Sequence, residues 1–139
     1  MKEYLVLRVV TKLLLPFILL FALYVQFHGD FGPGGGFQAG VIFASGFILY
    51  AMVFGANAAQ RILPDGILRA GIAGGVLIYA SVGIMGIVLG ENYLSYNPLA
   101  HHAKEGQHLG IFLVELGVGT TVASVMMTVF FTFANWRED

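Results

Sequence analysis

The chain has no cysteine among its 139 residues. That excludes disulfides, thiol nucleophiles and cysteine-held metal clusters. Charge is scarce as well. Asp, Glu, Lys and Arg together make 11% of the residues, against about 25% in a soluble domain. The formal net charge is −1, so nothing draws the chain to nucleic acid. Catalytic motifs are missing too: there is no G-x-S-x-G, no H-E-x-x-H and no glycine loop with a following lysine. No enzyme activity and no cofactor are expected.

Apolar sequence fills the space. Hydrophobic residues make up 58% and the mean hydropathy is +0.81. A soluble domain of this size could not bury so much apolar surface, so the class is integral membrane protein. A spanning helix needs about 20 mostly apolar residues. Four segments meet that, near 5–27, 35–59, 70–89 and 109–133. Their unbroken apolar character predicts helices rather than the alternating strands of a barrel. The expectation is an all-α membrane protein with four transmembrane helices in a single integral membrane domain, 1–139. The first segment has no A-x-A-like cleavage site and reads as an uncleaved anchor.

The connections sort the charges. With the N-terminus inside, Lys2, Arg8, Lys12, Arg61, Arg69 and Arg137 face the cytoplasm and Lys104 alone faces out. That bias follows the positive-inside rule and puts both termini in the cytoplasm. Arg8 and Lys12, four residues apart, then snorkel to headgroups or pair with a partner's carboxylate. Tyr4, Phe27, Phe31, Phe37, Tyr93, Tyr96 and Trp136 collect near the borders as an interfacial belt.

Glycine is abundant where helices would touch. "GDFGPGGGFQAG", Gly29 to Gly40, runs from an outer turn straight into the second span. Pro33 fixes φ at the turn, and Gly34 and Gly35 permit tight geometry. Gly36, Gly40 and Ala44 form a small-residue stripe. Gly71 and Gly75, then Gly86 and Gly90, form others. Such faces let backbones approach closely, and contact with helices of other subunits is expected from them.

Glu115 is the one charge inside the fourth span. An acidic group at that depth is costly and often serves an ion path; the alternative is a structural hydrogen bond to a neighbouring helix. Counted from Leu109, it lies roughly 9 Å below the outer helix end. His108 shares its helix face with Ile111, Gly119 and Val122, which suggests a proton-entry pair. Asp30 in the outer turn is a further cation candidate. His101, His102 and His108 match no zinc spacing, so no metal is expected.

Two segments carry a resemblance. "GPGGGFQAGVIFASGFILYA" and "HLGIFLVELGVGTTVA" resemble the B-type small component of the Mrp-type multisubunit cation (Na+)/proton antiporters, a family with relatives in membrane-bound hydrogenase complexes. The matching positions are Pro33, Gly34, Gly35, Gly36, Phe37 and Gly40, then Gly110, Glu115, Leu116 and Gly117. The resemblance implies a small subunit without catalytic residues in a prokaryotic cell membrane. It implies other membrane subunits as partners, with a monovalent cation and a proton moved by the complex. It also implies a need for this subunit in assembly. Whether it lines the ion path or is a scaffold, as in a complex I-related hydrogenase, stays open. In one place the chain departs from the family, where a Gly-His pair is common and Gly29-Asp30 stands. An independent small multidrug-type transporter would need an acidic residue in its first helix, and Leu13 to Phe27 has none.

Overall fold

The structure is a computed structural model that describes residues 4–29, 34–96, 99 and 101–136, the side chain of residue 103 excepted. The described residues form five helices: α1 (Leu5–His28), α2 (Gly36–Phe54), α3 (Ala56–Ile62), α4 (Asp65–Val88) and α5 (Ala103–Trp136). All but α3 are long and apolar enough to cross a membrane.

The burial pattern inverts that of a soluble protein. The buried positions are mostly small: Ala22, Ala39, Ala44, Ala51 and Ala59, joined by Gly36, Gly40, Gly75, Gly117 and Gly119. Large apolar side chains such as Leu13, Phe17, Leu20, Leu77 and Val88 point outward. Lipid is as apolar as leucine, so there is no gain in burying large side chains against each other. Close backbone packing decides the interior instead.

That packing sets the helices in the spatial order α1, α2, α5, α4. Among the described residues no packed face joins α1 to α4. α5 takes a central place because Gly117 and Gly119 are two residues apart, about 200° around the helix. Gly117 faces α4: a methyl there would stand 2.8 Å from the Gly75 carbonyl oxygen and 3.2 Å from the Tyr79 nitrogen. Gly119 faces the other way, toward Gln26 and the Gly36 carbonyl. On α2, a methyl on Gly40 would stand 2.7 Å from the Gly119 carbonyl oxygen. The Gly36–Gly40–Ala44 stripe is therefore used inside the chain, against α5. Gly71 and Gly75 are likewise spent on Ser124 and Thr121 of α5. These faces meet helices of the same chain, where the sequence expectation placed helices of other subunits.

Three boundaries differ from the sequence reading. The span expected at 35–59 ends at Phe54, because Gly55 adopts φ +101°, outside the helical region, and α3 follows. The span expected at 70–89 starts at Asp65, just after Pro64, with its acidic side chain in the first turn where the helix dipole favours it. The span expected at 109–133 starts at Ala103, six residues earlier. Those added residues are polar, so hydropathy does not register them.

α4 ends in a Schellman motif. Gly90 (φ +84°) donates to the Ile87 carbonyl at 3.0 Å, and Glu91 donates to the Gly86 carbonyl at 3.0 Å. The loop beyond folds back, laying the Tyr93 ring on Gly83 and the Tyr96 ring on Gly110. Burial, then the neighbouring Tyr79, hold the Tyr96 phenol above its ordinary value.

The seam can be tested by adding one methyl. Gly36→Ala would drive a methyl into the Glu115 backbone, and should cost about 1–3 kcal/mol. Gly74→Ala meets nothing within 4 Å and should hold or gain up to about 1 kcal/mol. Thermal unfolding in detergent should rank Gly36→Ala below wild type and Gly74→Ala at or above it.

Candidate functional site at the start of α2

Glu115 sits where α1 ends and α2 begins. Its carboxylate oxygens lie 3.0 and 3.1 Å from where a Gly29 side chain would start, and Oε1 lies 3.4 Å from the same point on Gly35. Its own backbone closes on Gly36. Glu115 is half-buried. The run of glycines explains the fit. Gly34 (φ +141°) and Gly35 (φ +153°) take backbone conformations that L side chains rarely adopt. Gly36 then has no side chain to hold the helices apart.

The start of α2 is an electropositive end. Its first amides have no partner within the helix, and Gly35 has no side chain to cap them. A carboxylate from another helix is a suitable neighbour for such an end. Arrangement and charge therefore agree: the glycines admit the Glu115 carboxylate, and the α2 terminus offers it a partial positive charge.

Depth depends on the helix used as the ruler. Glu115 is 12 residues into α5, or about 18 Å along its axis, rather than the 9 Å expected from Leu109. Yet it is level with the C-terminal end of α1 and the N-terminal end of α2, because Gly29 and Gly35 flank it. α5 therefore begins about 18 Å along its axis before the level of Gly29 and Gly35.

His108 stands two turns nearer the N-terminal end of α5, about 10 Å along the axis, and is exposed. His101 and His102 are exposed near the start of α5. Among the described residues no three His, Asp or Glu side chains converge as a metal site. Asp30 and Pro33 lie outside the described residues. Of the other motif positions, Gly40 packs on α5, Gly110 lies under Tyr96, Gly117 faces α4, and Phe37 is exposed.

The structure adds one residue that the sequence reading missed. Gln26, near the C-terminal end of α1, is 7% exposed, and its Nε2 is buried without a hydrogen-bond partner. Its Oε1 faces Gly119. A lone amide in the apolar run "LYVQFH" was the available signal. Gln26 borders a groove of about 350 Å³ that all four long helices line, with Phe43, Leu68, Thr120, Ser124 and Met127 along it. This groove exists because α1 and α4 do not meet across the α2–α5 pair. Glu115 is not part of its lining.

Long apolar helices, packed through small residues with large apolar side chains outward, define a multi-pass helical membrane protein. A profile described as "Domain related to MnhB subunit of Na+/H+ antiporter" matches residues 6–128. Proteins named as mnhB2 antiporter subunits are similar along almost their whole length. The one from Staphylococcus haemolyticus is 35% identical over 136 residues, covering 96% of each chain. One from Staphylococcus epidermidis is 33% identical and one from Staphylococcus aureus strain Newman 37% identical, each with the same coverage. The chain belongs to the MnhB family. It is thus a membrane subunit of the Mrp-type cation/proton antiporter family, not an enzyme, and a multi-pass protein of the bacterial cell membrane.

The orphan amide has a measurable consequence. Gln26→Leu removes a buried donor that has no acceptor, a group that costs about 1–3 kcal/mol when left unsatisfied. The variant should unfold in detergent at or above the wild-type midpoint. A clear drop would mean that the amide already has an acceptor within the chain.

Proposed function

We propose that this chain is a small integral subunit of a multisubunit Na+/proton antiporter. Its task is to complete the membrane assembly, and Glu115 is the acidic group that it brings to the ion path. The whole chain, 1–139, acts as one membrane domain. The observation that carries this reading is the seating of Glu115. A half-buried carboxylate stands within a spanning helix, level with the C-terminal end of α1 and the N-terminal end of α2, beside backbone that only glycine allows. Charged groups at such positions most often serve ion or proton movement. His108, two turns outward, and Asp30, in the adjoining turn, are the proposed outer contributors. The groove beside Gln26 supports the subunit part of the reading, since an unfilled face suits a protein that works among neighbours.

A second reading has an observation in its favour. Glu115 rests on the backbone of Gly29, Gly35 and Gly36 and not on the open groove. That suits a purely structural carboxylate in a scaffold subunit, such as that of a complex I-related hydrogenase. Glu115→Gln separates the two, because it keeps shape and removes charge. In everted vesicles containing the full complex, the ion-path reading expects Na+-dependent proton movement to fall at least about tenfold, the equivalent of 1.4 kcal/mol. Assembly should persist. Normal transport by an assembled Glu115→Gln or Glu115→Ala complex would leave only the scaffold.

Both termini are proposed to face the cytoplasm, on the strength of the six-to-one sorting of Lys and Arg. The absence of cysteine makes this simple to check. With an impermeant maleimide on whole cells, Lys104→Cys should label and Arg61→Cys should not. The reverse pattern would invert the topology.

A further inference from the structure

The end of the molecule away from Glu115 carries a second constellation. Arg8 and Lys12, one turn apart on α1, both reach the ring of Phe54 at the last position of α2. The Arg8 Cζ is 5.2 Å and the Lys12 Nζ 5.5 Å from the ring centroid. Two like charges converging on one ring repel each other, and the ring face offsets only part of that repulsion. Among the described residues neither cation makes an ion pair. Beside them opens a cavity of about 370 Å³ bounded by Tyr4, Leu7, Arg8, Met52 and Val53.

The cavity is two-sided in chemistry. Arg8 and the Tyr4 hydroxyl supply hydrogen-bond donors. Leu7, Met52 and Val53 supply an apolar wall, and Met52 is 72% exposed. Depth fits as well. From Arg8 to the end of α1 at His28 is 20 residues, or about 30 Å of helix, the thickness of the hydrocarbon core. Arg8 therefore stands at the headgroup boundary when His28 stands at the other. At about 30 Å³ per water, the cavity has the volume of roughly a dozen waters, room for a phosphoglycerol head.

We propose that this cleft between the N-terminal end of α1 and the C-terminal end of α2 is a binding site for an anionic phospholipid. The two unbridged phosphate oxygens are taken by the Arg8 guanidinium and the Lys12 ammonium. The Tyr4 hydroxyl donates to the head, and an acyl chain runs along Leu7, Met52 and Val53. Simple snorkelling brings cations to headgroups one at a time. Here a shared ring gathers two cations beside a pocket with an apolar wall. Basic pockets between membrane helices are suited to anionic headgroups. The proposal stands apart from the antiporter reading, and it needs only that this end lies at a membrane interface.

The test is native mass spectrometry of the intact, delipidated complex titrated with dioleoyl phosphatidylglycerol. Parallel arms use dioleoyl phosphatidylcholine and inorganic phosphate. The wild type should bind one more phosphatidylglycerol per copy of this subunit than the Arg8→Gln/Lys12→Gln double variant, whose affinity at this site should fall about 30-fold. Met52→Trp, which fills the cavity and keeps both charges, should lose the same lipid. Three results would overturn the proposal. One is equal occupancy by phosphatidylcholine. Another is displacement of phosphatidylglycerol by millimolar inorganic phosphate, which marks a bare ion site. The third is unchanged lipid occupancy in the double variant, with or without loss of a neighbouring subunit; such a loss would assign the cations to a partner's carboxylate.

Discussion

Everything in this molecule depends on how closely its backbones can approach α5. In a lipid surrounding, apolar side chains gain little by leaving the solvent, so contact area between backbones decides which helices stay together. Gly117 and Gly119 present smooth surface on opposite sides of α5, one to α4 and one to the α1–α2 pair. One helix thereby joins both halves of the chain. The row α1, α2, α5, α4 follows from it, and so does the groove where α1 and α4 fail to meet.

The seating of Glu115 is a consequence of the same constraint. Once Gly36 and Gly40 bring α2 against α5, the residue one turn before Gly119 must stand at the mouth of α2. An apolar side chain there would leave the first amides of α2 without a negative partner. A carboxylate suits them, and it gives the seam a chemical as well as a steric reason. Packing thus places an acidic group at the end of the α1–α2 pair, beside a helix start.

Much of this was legible in the sequence, for reasons that can be named. The four apolar runs follow from the physics of the bilayer alone. The glycine stripes were visible, but their partners were not: spacing marks a face as smooth without saying which helix meets it. Gly55 breaks α2 within an uncharged run, where hydropathy carries no trace of a positive φ. The polar start of α5, "AKEGQH", lies outside any hydrophobicity window, yet the helix extends through it. Gln26 sits in an apolar run as one amide, and only the packing around it shows that its nitrogen is enclosed without an acceptor.

The two ends of the α1–α2 hairpin differ in a way that bears on what the subunit can do. At the glycine end an acidic side chain lies among glycine backbone beside the start of a helix. At the other end the charge is positive, on long side chains held by an aromatic ring. A carboxylate seated among glycines beside a helix start contributes a local potential there. A flexible cation pair adapts to the ligand it meets. The rigid end therefore suits a role in a conduction path or a seam, where position matters. The adaptable end suits attachment to the bilayer, where headgroups vary. Glycine at one end and Phe54 at the other are the residues that make the difference, since the first removes side-chain freedom and the second gathers it.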